Sequence, residues 1–366
     1  MESALDITVS PASAPVGEDR LVEILENPGF GVHFTDHMFT AEWTPEKGWY
    51  DARVSAYAPL TLDPATAVLH YAQEIFEGMK AYRHDDGSIW TFRPEMNAER
   101  MIRSSRRLAL PELPVADFVA SVDAVVQADQ RWVPDPAGEK SLYIRPFMFA
   151  SEKFLGVRPA KHVTYMVILS PAGAYFAKGL QPVTIWLSED YTRAGVGGMG
   201  AAKTGGNYAS SLVAQQEAIE NGCDQVVFLD AVERRWVEEL GGMNLYFVHD
   251  DGSIVTPELS GTILEGITRD SIIELSGKLG HEVVERKFSV DEWRDGVSSG
   301  RITEVFACGT AAVVTPVGTL KWRDGAVSTG DGVDAIGPVT KQVRQNLVDI
   351  QYGRTEDTFG WMHKVC

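Results

Sequence analysis

Residues Ala194 to Tyr208 read AGVGGMGAAKTGGNY, six glycines around a single lysine. Within them, Gly195 to Gly200 spells G-x-G-x-x-G, the phosphate-binding turn of dinucleotide folds. That reading requires a strand ending at the first glycine, a helix opening inside the motif, and an acid about twenty residues further on. Here the strand-like run VTIWLS ends several residues too early, and Gly205 and Gly206 delay any helix. Glu217 and Glu220 stand near the acid's spacing, but on a helical stretch and not at the end of a second strand. A P-loop fails as well, because Ala202 precedes Lys203 and Thr204 where a glycine is required. A nucleotide-binding dehydrogenase on Gly195–Gly200 is thus the rival to a second reading, in which small residues clear space around Lys203. Burial disfavours an ammonium, and the free amine is a nucleophile for aldehydes. A glycine-flanked lysine is more often a solvated loop residue, so its companions must decide.

The totals narrow the field. The 366 residues exceed the size of one core, which predicts two domains. A net charge of -18 repels phosphodiester backbones and anionic lipids, so neither nucleic acid nor membrane is an expected partner. Cys223, Cys308 and Cys366 are far apart and form no C-x-x-C, which suits a reducing compartment and predicts a cytoplasmic protein. The first twenty residues lack both a basic start and an apolar run, so they do not read as a targeting signal. No metal site is expected.

Short β-rich runs between Trp49 and Phe92, a brief helical piece at 64–72, and helical spacing in RPEMNAERMIRSSRRLAL and VADFVASVDAVVQADQRW describe a mixed α/β first half. The Pro/Gly-containing SPAGAYFAKGLQP predicts an interdomain connection. The expected plan is a flexible tail over 1–28, a small α/β domain over 29–174, a loop over 175–182, and a large domain over 183–366 that carries Lys203. HDDGSI occurs at His84 and again at His249, and Asp-Gly between alternating apolar residues predicts a hairpin turn at each.

Pyridoxal phosphate chemistry needs a lysine, an acid facing the ring nitrogen and an anion site. Glu239 in VEELGGMN lies on a strand-like run before a glycine pair. The stretch from Gly266 begins a helix with free N–H groups at Ile267 and Thr268. CGTAA, at Cys308 to Ala312, adds a small-residue turn with the Thr310 hydroxyl, and Arg100 adds charge.

In this order the segments EIFEGMKAYR, FRPEMNAERM, SLYIRPF, LGVRPA, GAAKTGGNYA, EELGGMN, GTILEGITRDSI and EVFACGTAAVVTPV resemble the branched-chain amino acid aminotransferases, from about Phe30 to Gly353. The resemblance implies fold type IV, an α/β fold of α+β type with two domains, the larger a pseudo-barrel. It also implies a homodimer, pyridoxal 5'-phosphate as cofactor, and amino acids and 2-oxo acids as substrates. Residue by residue, it makes Lys203 the catalytic Schiff-base lysine. Glu239 becomes the partner of the ring nitrogen and Tyr208 that of the ring oxygen, while Arg100, Ile267, Thr268 and Thr310 hold the phosphate. Tyr143, Thr310 and Ala311 would take the substrate carboxylate. Phe30, Tyr71, Phe76 and Tyr175 would line the apolar part, Leu155 and Val157 would reach in from the partner subunit, and Arg145 would receive glutamate's distal carboxylate. D-amino acid transaminases and aminodeoxychorismate lyases share this fold and are the nearest alternatives. Two departures stand out. Ala312 and Thr315 replace a C-x-x-C found in eukaryotic members, so no thiol switch is expected, and Gly242 stands where some members carry threonine, which widens the pocket.

Overall fold

A computed structural model describes residues 5–173, 180–330 and 336–366. The chain divides into two compact units: Met1–Ala177, Ala202–Gly205 and Asp349–Cys366 form the first, and Lys178–Ala201 with Gly206–Val348 the second.

The first unit is built on a nine-stranded sheet whose centre is the antiparallel pair Ser141–Ala150 and Val163–Ala172. Alternate side chains of a strand face opposite ways, and the sequence obeys that period. Val163, Tyr165, Val167 and Leu169 enter the main core, whereas Met166 and Ile168 join Met38 and Phe149 in a separate apolar cluster. Two helices, Pro94–Leu108 and Val115–Ala128, supply Met101, Phe118, Val122 and Val125 to the same core. The first of them opens on proline, whose missing N–H costs nothing there. It also buries a polar stripe, Asn97, Arg100 and Ser104, at helical spacing.

The expected domain plan differs from the structure in two places. The stretch before residue 29 is not a bare tail. Thr8–Val9 pairs with the strand Gly48–Ala56, and the helix Glu18–Glu26 buries Leu21 and Ile24, three positions apart on one face. In addition, Ala202–Gly205 and Asp349–Cys366 belong with the first unit, because Lys203 is tied to Phe76 and Ser104 and because Met362–Lys364 completes the sheet edge beside Ile89–Phe92. A strand contributed from far along the chain leaves no local pattern to read. The Tyr175 assignment lies outside the described residues.

The second unit holds another nine-stranded sheet, running from Val237–Leu240 at one edge to Val283–Arg286 at the other. The sheet curls until those edges meet: Trp236 bridges Ser289, Val237 N–H donates to Phe288 O, and Val290 N–H donates to Arg235 O. A pseudo-barrel was expected of the larger domain and the sheet forms a curled half-barrel, in which these contacts pair backbone groups that open edges would leave exposed. Phe247 stacks on Phe288 with ring centroids 3.9 Å apart and meets Trp293 edge-on at 4.9 Å inside it. Both HDDGSI copies form hairpin turns, with Gly87 at φ 86° and Gly252 at φ 84°, values that favour glycine.

Glu304 caps the helix Pro338–Gln351. Its carboxylate accepts from Val339 N–H (3.0 Å), Thr340 N–H (2.8 Å) and the Thr340 hydroxyl (2.7 Å). Glu304→Ala is expected to lower stability by about 1–2 kcal/mol, the usual worth of such a cap, read as a lower urea midpoint at unchanged slope.

Candidate active site

Lys203 is fixed through its backbone. Its N–H donates to the Oγ of the buried Ser104 (2.9 Å), and its carbonyl accepts from Phe76 N–H (3.0 Å). The next two residues are held by Glu74, which accepts from the Thr204 hydroxyl at 3.4 Å and from Gly205 N–H. A side chain at Gly205 would place its Cβ 2.5 Å from the Glu74 carboxylate, which would have to shift. Burial raises the Glu74 carboxyl above its usual range, against the lowering effect of the Gly205 N–H.

The Lys203 amine is 4.7 Å from the centroid of the Phe76 ring, and the Arg145 guanidinium is the same distance from it. Arg145 Nη2 donates to the Tyr143 hydroxyl (2.8 Å), while its buried Nε has no partner among the described residues. Phe30 meets Tyr143 edge-on at 5.1 Å. Gly78 allows this packing, since a Cβ there would lie 2.3 Å from the Tyr143 hydroxyl. Phe30, Phe76, Tyr143, Arg145 and Lys203 are thus gathered in one place. Tyr71 is not among them: its hydroxyl donates to Leu155 O. Tyr71, Leu155 and Val157 stand exposed at 40%, 62% and 88%.

Arg100 is buried, and its Nε and Nη2 fork onto the carboxylate of the fully buried Glu77 at 2.9 and 2.7 Å, with Asn97 Nδ2 adding a third donor at 2.8 Å.

In the second unit Glu239 is connected through Leu264 and Asn244 to the segments that carry the other expected residues. Glu239, on the strand Val237–Leu240, forms an ion pair with Arg193 Nη1 (2.9 Å) and accepts from Leu264 N–H (2.8 Å) through the same oxygen. Leu264 O accepts from Asn244 Nδ2 (3.1 Å), and a Cβ at Gly266 would lie 2.1 Å from the Oδ1 of the same Asn244, which would have to move. Gly266 starts the helix Ile267–Lys278 without a side-chain cap, so the first-turn amides of Ile267 and Thr268 are donors suited to an anion. Asn244 is also the strand partner of Cys308, which leads to Thr310 and Ala311, and Val313 closes that turn at φ 61°. A β-branched residue in the left-handed region is strained, and such strain gathers at functional turns. A Cβ at Gly242 would meet Tyr208 Cε1 at 3.5 Å, an ordinary van der Waals contact, so a side chain there would sit beside that ring. Burial pushes the Cys308 thiol up to about 12, which leaves it inert.

The sequence pattern of the class IV aminotransferases matches residues 74–320. Among relatives, a probable branched-chain-amino-acid aminotransferase of Streptomyces coelicolor is 58% identical over 98% of this chain and 99% of its own. The branched-chain-amino-acid aminotransferase of Mycolicibacterium smegmatis is 54% identical over 99% and 98%. The chain belongs to the branched-chain amino acid aminotransferases.

Solved aminotransferases of this kind share the fold. The Escherichia coli enzyme superposes with a TM-score of 0.75 at 29% identity, over 90% of this chain and 99% of that one. The T.th. aminotransferase, solved with pyridoxamine 5'-phosphate, gives 0.74 at 30%, over 89% and 98%. The nucleotide-binding rival fails at the glycine run itself. The strand before it ends at Leu187 and the next helix begins at Gly205, so Gly195–Gly200 never forms a strand-turn-helix cradle. Three residues escaped the sequence reading: Glu77, Arg193 and Glu74. Each is an unremarkable charge in sequence, and only the fold pairs them with Arg100, Glu239 and the Lys203 loop.

Glu77→Leu leaves the Arg100 guanidinium buried without its counter-charge. Breaking such a pair is expected to cost about 3–5 kcal/mol, measured by denaturant unfolding.

Proposed function

We propose that this chain moves the amino group of L-leucine, L-isoleucine or L-valine to 2-oxoglutarate, reversibly and with pyridoxal 5'-phosphate as cofactor. The products are L-glutamate and a branched-chain 2-oxo acid. The observation that carries this reading is the double backbone tie at Lys203, which sets its amine against the Phe76 ring that Arg145 also faces. When bound, the cofactor supplies an aldehyde carbon for the amino group and a ring that accepts the electron pair left at the substrate's α carbon.

The residues divide the remaining work. Lys203 is the attachment point, and its Nζ moves the proton at the substrate α carbon. Glu239 holds the ring nitrogen protonated, and the Tyr208 hydroxyl holds the ring oxygen. The uncapped amides of Ile267 and Thr268, with the Thr310 hydroxyl, take the phosphate. Arg100 joins them with its charge already balanced by Glu77. Tyr143 and the backbone of Thr310 and Ala311 bind the substrate carboxylate.

An aliphatic side chain and the carboxylate arm of glutamate must share one pocket, and an apolar wall alone cannot bury the second unpaired. Phe30 and Phe76 form the wall, and Arg145, held by Tyr143, receives the distal carboxylate. The T.th. aminotransferase has been solved both with N-(5'-phosphopyridoxyl)-L-glutamate and with 4-methylvaleric acid, the same pair of demands on one protein. Tyr71, Leu155 and Val157, all exposed, are the surface we assign to the pocket of a second copy in a homodimer. No helix of the described residues is long and apolar enough to cross a membrane, and the three free cysteines support a cytoplasmic setting.

Borohydride reduction followed by peptide mass mapping should find the cofactor on Lys203. L-Leucine should bleach its visible band and D-alanine should not; the reverse would move the assignment to a D-amino acid transaminase. Arg145→Gln is expected to lower kcat/KM for glutamate about 10- to 100-fold, the worth of a charged hydrogen bond, with leucine changed by less than about 3-fold.

A further inference from the structure

We propose that Arg193 is a positioning residue for the cofactor ring, fixing both the charge and the direction of the Glu239 carboxylate. The inference rests on the assignment of Glu239 to the ring nitrogen. Arg193 and Glu239 have side chains only 1% and 2% exposed. Arg193 Nη1 donates to Thr262 O at 3.0 Å and to Gly200 O at 3.3 Å, and its charge stands 2.9 Å from Glu239 Oε1 as an ion pair. Leu264 N–H reaches the same Glu239 oxygen from another direction at 2.8 Å. A fixed N–H donor and a fixed cation thus meet one oxygen, which holds the carboxylate from turning, and both favour its ionised form.

That matters because the acidic neighbours of Glu239 oppose its ionisation, while the Arg269 cation, whose charge reaches Cys308, favours it. Glu238 is the next residue on the strand; burial pushes its carboxyl up, Asp230 adds to that push, and the Thr262 hydroxyl donates to it. Cys308, on the strand Ile302–Gly309, is near enough that the Glu239 charge helps burial to raise its thiol. Arg193 is a cation in direct contact with Glu239 amid these groups. Without it, Glu239 keeps the Leu264 N–H but loses this adjacent cation beside a second carboxyl, which favours uptake of a proton. A neutral carboxyl is a weaker acceptor for the N–H of a protonated ring than a carboxylate is.

The contact with Gly200 gives the glycine run a role that nucleotide binding does not. A Cβ at Gly200 would lie 2.2 Å from Thr262 O, so only glycine lets this segment approach closely enough for one guanidinium to join Gly200, Thr262 and Glu239.

The test uses the full chain loaded with pyridoxal 5'-phosphate, comparing wild type with Arg193→Gln, Arg193→Lys, Glu239→Gln and the double variant R193Q/E239Q. The readouts are the cofactor dissociation constant and the pH at which its visible band changes. Arg193→Gln is expected to weaken cofactor binding about 10- to 100-fold and to shift the band's titration. Arg193→Lys, which keeps the charge, should leave that titration with wild type. In the Glu239→Gln background, removal of Arg193 should have no further effect, because the residue acts through Glu239. This last comparison also decides the matter should Arg193→Gln alone fail to fold, since the double variant leaves no unbalanced buried charge. If the double variant binds cofactor more weakly than Glu239→Gln by the full single-variant factor, or if Arg193→Gln matches wild type in both readouts, the inference is wrong while the functional reading stands. A wild-type chain that takes up no cofactor overturns both.

Discussion

A lysine that must attack an aldehyde has to be aimed, and a side chain with four rotatable bonds cannot aim itself. In this chain the direction is set one level down, in the backbone. Lys203 donates to Ser104 and accepts from Phe76, and Glu74 secures the two residues that follow. Ser104 is available because the helix Pro94–Leu108 buries a polar stripe instead of a wholly apolar one. Phe76 is available because the short strand Glu74–Phe76 pairs with Ser141–Ala150, the strand that also carries Tyr143 and Arg145. The amine, the aromatic wall and the guanidinium are therefore positioned by one set of hydrogen bonds.

Charge follows the same logic of fixed partners. In a protein of net charge -18, buried cations are not left to attract anions unaided. Arg100 is forked onto Glu77, Arg193 is bonded to Glu239, and all four side chains are almost wholly withdrawn from water. Desolvating such pairs costs more than their attraction returns unless further hydrogen bonds complete them. Asn97 does so at Glu77 and Leu264 N–H at Glu239. These arrangements contribute orientation more than stability.

Much of this was legible beforehand, for identifiable reasons. The period-two pattern of the strand Val163–Ala172 and the helical spacing of Pro94–Leu108 are local properties, as are the two Asp-Gly hairpins. The lysine, Glu239 and the helix start at Gly266 stood out because small residues cluster around them. What stayed hidden depended on long-range pairing. Glu77 and Arg193 are single charges whose partners lie far along the chain, and Tyr71 reads like any aromatic until its hydroxyl is seen on Leu155. The segment before residue 29 lacks length for a strong signal, yet Leu21 and Ile24 anchor it in the core.

The strand Met362–Lys364 has a consequence for biosynthesis. It completes the edge next to Ile89–Phe92, and Val365 and Cys366 add backbone bonds to Ile89. A nascent chain emerging from the ribosome therefore carries an open β edge from the moment Phe92 is made until Cys366 has followed. Exposed edges of this kind recruit other strands. The vulnerable interval of that edge is set by the time needed to synthesise the residues between Phe92 and Met362.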